Sequence, residues 1–198
     1  MSPPRPATDV DGLRSALLVH ARALIARDGV DGLTMRALAG EAGVAVGMSY
    51  KAFASRDQLL RELTWVSLSE LAAAIEAWAV RPGGRLADRL MEFADLQAGS
   101  DAPALVGHLS QLPGGAEILR DAVEVGVTRS WAAVMTEFLQ TRQRERTVRN
   151  DVDVEAFGFV LTAALHYILI SNEPFHAPDR ATLARYVSAV ADQIGVGS

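Results

Sequence analysis

Apolar residues recur at helical spacing along nearly the whole chain. Leu13, Leu17, Leu18, Ala21, Leu24 and Ile25 fall three or four positions apart, which is the repeat of one helix face, and Asp28-Gly29 ends the run with a glycine stop. A shorter pattern of Met35, Leu38, Ala39 and Ala42 predicts a helix over Met35–Ala42. Thr34 supplies its N-cap oxygen, and Gly43 stands where a left-handed C-terminal residue costs least. After this turn a helix of one to two turns fits from Ala45 to Phe53. Ser55 with Gln58 three residues on forms a capping box, with Asp57 in the favourable first turn. A new helix therefore starts at Arg56 and runs through Leu59, Leu63, Val66, Leu71, Ile75 and Trp78 until Pro82-Gly83-Gly84 breaks it.

Further helices are predicted over Leu86–Ala98, Ala104–Leu112, Ala116–Arg144, Val154–Asn172 and Arg180–Ile194, separated by Pro, Gly or Asp punctuation. No period-2 strand and no solenoid repeat emerges, so the fold class is all-α with about nine helices. The helix from Val154 is apolar on more than one side, with Phe157, Val160, Leu161, Ala164 and Ile168 on one stripe and Phe159, Ala163, His166 and Ile170 on others. A helix without a polar face needs burial on both sides. Its neighbour carries Leu183, Val187, Val190 and Ile194 at spacings of 4, 3 and 4, the pattern of a helical seam either within one chain or between two.

Composition fits a soluble globular protein: 198 residues, 49% hydrophobic and 22% charged. There is no cysteine, which excludes disulfides and thiolate catalysis and makes a reducing cytoplasm the expected compartment. The four histidines are too scattered for a local metal motif, so neither metal nor cofactor is expected. The N-terminus lacks a long apolar run, and Phe157–Ile170 is too short and too polar at His166 to span a bilayer. Charge is uneven: residues 1–64 carry 8 Lys+Arg against 7 Asp+Glu (+1), and residues 65–198 carry 11 against 17 (−6), giving the net −5. The sign suits a nucleic-acid-binding first third, although the excess is small.

The stretch holding Thr34, Arg36, Leu38, Ala39, Ala42-Gly43-Val44, Gly47, Tyr50, Phe53 and Ser55-Arg56-Asp57 resembles the signature of the TetR family of bacterial transcriptional regulators. The resemblance is close over the first third of the chain and only general beyond it. It implies a flexible leader (1–8), a three-helix DNA-binding domain of the helix-turn-helix kind (9–55), and a helical ligand-binding and dimerisation domain (56–198) reached through the long helix. Thr34, Arg36, Tyr50, Lys51 and Arg56 would face phosphates, while Ala45, Val46, Met48 and Lys51 would lie nearest base edges, with Ser49 a further polar reader. Three positions depart from the family pattern: Ala45 replaces a capping serine, Ser49 an apolar residue, and Ala52 a phosphate-contacting aromatic or histidine. With so few polar groups, reading is expected through apolar contact with thymine methyls and a bond from Lys51 to guanine.

The same resemblance implies a homodimer through the last two helices, with Phe157, Leu161, Ala164, Ile168, Leu183, Val187, Val190 and Ile194 at the interface. An ordinary monomer core is the alternative. It also implies an effector pocket, for which Met135 and Phe159 supply apolar bulk and His108, Trp131 and His166 combine such bulk with a donor. The second domain has no G-x-S-x-G, H-E-x-x-H or phosphate-loop motif, which argues against an enzyme. The function implied is a transcriptional repressor that a small, mostly apolar ligand releases from a palindromic DNA operator. The competing reading is a ligand- or protein-binding dimer of the same fold with weak or lost DNA binding.

Overall fold

The computed structural model describes residues 10–111, 115–124, 130–170 and 178–196, with all their side chains except those of Ile118, Ile168, Leu169 and Ile170. Among these residues there are ten helices: α1 Val10–Gly32, α2 Met35–Glu41, α3 Val46–Ala52, α4 Arg56–Val80, α5 Leu86–Ala98, α6 Ala102–Leu109, α7 Gly115–Glu124, α8 Trp131–Arg144, α9 Val154–Ile170 and α10 Arg180–Ile194. The all-α expectation holds, but the single helix expected over Ala116–Arg144 is two. Ser130 stands outside the helical region at ψ 119 as the N-cap of α8, and apolar periodicity alone does not register such a break. In α1 the predicted stop is real. Gly29 has φ 72 and ψ 174, and only a short helical turn continues to Gly32.

The chain forms two compact units, one holding the described residues of Met1–Val66 and Ala104–Ile118, the other those of Ser67–Pro103 and Leu119–Ser198. The division therefore falls within α4 rather than at residue 55, and the first unit also takes in 104–118. Its core joins Leu17, Ala21, Leu24 and Ile25 of α1 with Leu33, Met35, Leu38, Ala52 and Phe53. Leu59, Leu60 and Leu63 of α4 and Leu105 of α6 complete it. Each large apolar side chain so buried contributes about 1.5–3 kcal/mol. By length and composition alone α4 could cross a membrane. Its apolar positions Leu59, Leu63, Leu71, Ile75 and Trp78 are instead buried within the protein, as in a core helix of a globular fold.

In the second unit α8 packs on α9 and α10 on α5. The α8–α9 crossing needs Gly158, because a Cβ there would lie 2.2 Å from Thr136 Oγ1 and 3.0 Å from the Thr136 amide. Asp153 caps α9, accepting from the amides of Glu155 and Ala156. Asp179 caps α10 by accepting from the Thr182 amide at 2.7 Å, a bond that holds its carboxyl below the usual carboxylate range. The cap therefore stabilises at neutral pH and is lost as acid protonates the group. A two-residue β-bridge between Val148 and Gly195, with Arg149 N–H donating to Ile194 O at 2.9 Å, ties the polar turn before α9 to the end of α10.

Candidate nucleic-acid interface

The first unit turns on the joint between α2 and α3. Thr34 is extended (φ −119, ψ 157), and its Oγ1 accepts from the Ala37 amide at 3.0 Å, satisfying one of the orphan donors of α2. At the other end Gly43 takes φ 65. Its amide donates to Gly40 O at 3.2 Å, and the Val44 amide donates to Ala39 O at 2.9 Å. This pair of crossing bonds is the Schellman closure, which a side chain at position 43 would strain. Ala45 then opens α3 in an extended conformation without any side-chain cap, so this helix lacks about 1 kcal/mol that a serine would supply.

The register of α3 follows from which residues its neighbours bury. Ser49 and Ala52, one turn apart, face inward at 0% and 3% exposure, with Phe53 at 0% beyond them. The opposite face presents Val46, Gly47, Tyr50 and Lys51, all exposed, while Met48 on the flank is half-buried. Thr34 and Arg36 of the preceding segment are exposed as well. Ser49 is thus removed from the set of readers. Its hydroxyl lies 2.7 Å from Val46 O and 3.2 Å from Met35 O and is spent in bonding these carbonyls. A hydroxyl can be buried there only because carbonyls of its own helix and of α2 satisfy it.

Arg56 also departs from its expected role as a phosphate-facing cation. The helix it opens is capped as anticipated: Ser55 Oγ accepts from the Gln58 amide at 3.1 Å, and Gln58 Oε1 accepts from the Ala54 amide at 2.7 Å. The half-buried Arg56 guanidinium turns back and donates from Nε to Leu33 O at 2.6 Å and from Nη2 to Val30 O at 2.8 Å. It fastens α4 to the segment that joins α1 to α2. Arg27 is likewise occupied, between Asp28 and Glu41. Arg36 and Lys51 have no ion-pair partner among the described residues. Lys51 is also the only lysine in the chain.

Sequence reasoning missed Arg14. From α1 it donates to Ala52 O, the last carbonyl of α3, at 2.7 Å, pairs with Glu62 of α4, and lies 4.8 Å above the Phe53 ring. Cation at a helix C-terminus, ion pair and ring contact act together. Arg14→Ala is expected to lower stability by about 1–3 kcal/mol and to weaken DNA binding by loosening α3. Glu62→Gln should reproduce only a fraction of this, because the half-buried ion pair is partly screened by solvent and Arg14 keeps its bond to Ala52 O. Comparing the two by thermal melting checks the account.

The residues expected around an effector do not all come together. His108 belongs to the first unit, with Nδ1 3.7 Å from Asp31 Oδ1. Phe159 is 67% exposed, which takes it out of any enclosed pocket, because its position on α9 points away from the face packed on α8. Trp131 and His166 do meet, edge to face at 5.9 Å, and Met135, one turn on from Trp131 in α8, is fully buried. His166 Nδ1 is buried without a partner among the described residues, as are both polar atoms of the Gln97 side chain. Gln97 went unnoticed in the sequence. Its signal was a lone amide in the inward register of Leu86, Leu90 and Phe93.

The predicted dimer residues divide similarly. Leu161, Val187 and Ile194 are at most 5% exposed within the unit, so they build its core instead of forming a bare face. Phe157 is half-buried, Ala164 is exposed, and the Ile168 side chain lies outside the described residues. Leu161, Ala164, Leu183, Val187 and Val190 nonetheless line one apolar groove between α9 and α10, together with exposed Tyr167 and Tyr186. Phe159 and Val160 extend the exposed apolar surface of α9.

Residues 17–63 match the bacterial regulatory proteins of the tetR family. No curated protein matches the sequence. Solved structures similar to this fold include a candidate transcriptional regulator from Saccharomonospora viridis in complex with choline, at 18% identity and TM-score 0.69, covering 95% of this chain and 100% of that one. A TetR-family regulator from Agrobacterium tumefaciens aligns at 17% identity and TM-score 0.69 over 95% and 100% of the two chains. The ketosteroid transcriptional regulator of Mycobacterium tuberculosis aligns at 22% identity and TM-score 0.59 over 98% and 100%. At these identities the likeness is one of fold.

Proposed function

Through residues 17–63 the chain belongs to the tetR family of bacterial regulatory proteins, which are DNA-binding transcription regulators and not enzymes, and from that premise we propose that it acts as a homodimeric repressor released from a palindromic operator by a small, mostly apolar ligand. The observation that carries the DNA-binding part is the exposed face of α3. Val46, Gly47, Tyr50 and Lys51 stand clear of the core while Ser49, Ala52 and Phe53 anchor the helix from behind. Thr34, Arg36 and the Tyr50 hydroxyl supply phosphate donors, and Val46 and Lys51 supply base contacts. Two heads carried by one dimer would enter successive major grooves about 34–36 Å apart, with the α9–α10 groove and the exposed aromatic residues around it providing the dimer surface.

The ligand reading rests on the Trp131–His166 pair, whose apolar rings accompany the unpaired buried His166 Nδ1; the Gln97 amide is buried and unpaired as well. A molecule with one or two hydrogen-bonding groups on a hydrocarbon body satisfies such a site. One structural relative is in complex with choline and another is named for ketosteroids, so the relatives do not select one ligand. Release from DNA requires that the ligand prefer the conformation that misplaces the heads. The operator must then weaken the ligand by the same factor, and equal ligand affinity with and without operator excludes the mechanism.

A mobility-shift titration with DNA from upstream of the protein's own gene tests the proposal. A complex of two chains per site should form in dilute salt and weaken steeply between about 50 and 200 mM. Absence of any complex in dilute salt would instead support the reading of a dimer that has lost DNA binding, which the uncapped start of α3 and the near-neutral head favour.

Gly47 offers a separate test. Nothing lies within 4 Å of a Cβ built there, so Gly47→Ala should stabilise the free protein by about 0.5–1 kcal/mol through helix propensity. If the α3 backbone approaches DNA at this position, the same methyl should weaken operator binding. Improved melting with undiminished affinity would show that DNA does not approach α3 at Gly47.

A further inference from the structure

We propose that a cleft in the second unit, at the start of α5 and the ends of α8 and α10, binds a phosphate-bearing small molecule. The inference does not depend on the reading of the DNA-binding face or of the Trp131–His166 region. The cleft has a volume of about 640 Å³, and its wall includes Gly84, Arg85, Leu86, Arg142, Arg146 and Asp192. That volume lies within the range of small-molecule sites.

Three features make it an anion site. Arg142 is 3% exposed. Its Nη1 donates to Glu145 at 2.8 Å and to Gly83 O at 3.2 Å, and its Nη2 donates to Gly84 O. Its Nε has no acceptor among the described residues. What Arg142 brings to the cleft wall is a buried guanidinium charge that Glu145 neutralises only in part. The side chains of Arg85 and Arg146 have no carboxylate partner among the described residues. Arg81, Arg89, Arg149 and Arg180 of the same unit each have one, while Arg144, which bonds Thr141, and Arg185, which lies over the Tyr186 ring, do not. Arg146 is, moreover, held at φ 59, the one positive φ outside glycine among the described residues, which fixes where its side chain departs. Finally, the 13-residue α5 begins in the wall of the cleft with Arg85 as an N-cap that supplies no side-chain acceptor. Asp88 in its first turn offsets part of the dipole, but the N-cap leaves the first amides of α5 uncapped for an external anion.

The chemistry narrows the ligand further. Glu145 neutralises Arg142 in part, so two unpaired guanidiniums and a helix terminus face one wall carboxylate, Asp192. The surplus of positive charge matches a dianion better than a single carboxylate. Arginine forks bind the several oxygens of a phosphate with directed, charge-assisted bonds. Asp192 would repel the anion itself but can accept from a hydroxyl or amine on the molecule that carries it. These requirements together describe an organic phosphate whose body is hydroxylated or aminated.

Calorimetric titration of the full chain with pyrophosphate at fixed ionic strength tests this, with citrate as a carboxylate anion of comparable charge. Saturable binding of one pyrophosphate per chain is expected. Arg85→Gln and Arg146→Gln should each weaken it about tenfold or more. Arg144→Gln should leave it unchanged, because Arg144 lies outside the cleft and bonds Thr141. Both cleft variants alter partner-free side chains and should melt with the parent protein, so lost binding reports the site and not unfolding. The proposal is overturned by absence of saturable binding at millimolar pyrophosphate, by equal binding in the Arg85→Gln/Arg146→Gln double variant, or by citrate binding as tightly as pyrophosphate.

Discussion

Lys51→Ala is expected to weaken operator binding by about 1–3 kcal/mol per head, and the proposed symmetric dimer would lose that amount twice. The combined loss of about 2–6 kcal/mol corresponds to a factor of roughly 30 or more in affinity. The expectation follows from the composition of the exposed α3 face. Val46 and Gly47 carry no hydrogen-bonding side chain, and Ser49 is buried against Met35 O and Val46 O. Lys51 and the Tyr50 hydroxyl are the polar groups left on that face. Val46→Ala should cost less and alter base preference mainly at a thymine position. An operator titration in which both substitutions leave affinity and preference unchanged would remove α3 from the reading role.

Arg89→Ala should be the most damaging single substitution in the second unit, lowering stability by about 3–5 kcal/mol. Arg89 is 2% exposed. Its guanidinium lies 5.2 Å from the Trp78 ring and 5.6 Å from the Phe138 ring, and pairs with Glu92 at 3.1 Å. Burial pushes its pKa down, aided by the like charges of Arg81 and Arg142 and opposed by Glu92. Arginine starts so high that it remains charged. Truncation removes the filling beside two aromatic rings that touch each other, tilted by 35° with centroids 4.4 Å apart. Arg89→Met separates packing from charge. Glu92 keeps Arg81, and Trp78 O keeps the Arg81 amide at 3.2 Å, so restoring volume alone should recover most of the loss. Equal melting of the alanine and methionine variants would show that the charge, not the packing, matters.

The contrast between Arg89 and the caps marks what a sequence discloses. Thr34, Gly43 and the Ser55–Gln58 box act within a few residues of themselves, so their chemistry is written locally and their geometry follows from it. Helical periodicity likewise placed most apolar residues on the correct faces. It could not say which buried face holds a polar atom that a distant carbonyl will satisfy. Ser49 turns inward because Met35 O is there to meet it, Arg56 because Val30 O and Leu33 O are, and Arg14 because Ala52 O and Glu62 converge on it. The same limit explains the second unit. Leu161, Val187 and Ile194 carry the periodicity of a seam, yet their burial is already complete within one chain, while Phe159 on another stripe of α9 is left outside.

One residue allows the central claim to be tested at the site itself. Because Lys51 is the only lysine, reductive methylation with carbon-13 formaldehyde places a single labelled side chain in the whole chain, on the exposed face of α3, with its charge retained. On addition of operator duplex the Lys51 methyl resonance should shift or broaden in proportion to complex formed, and revert as salt dissociates the complex. A Lys51 signal that stays unmoved while DNA is demonstrably bound would contradict the account, because the DNA would then occupy a surface other than α3.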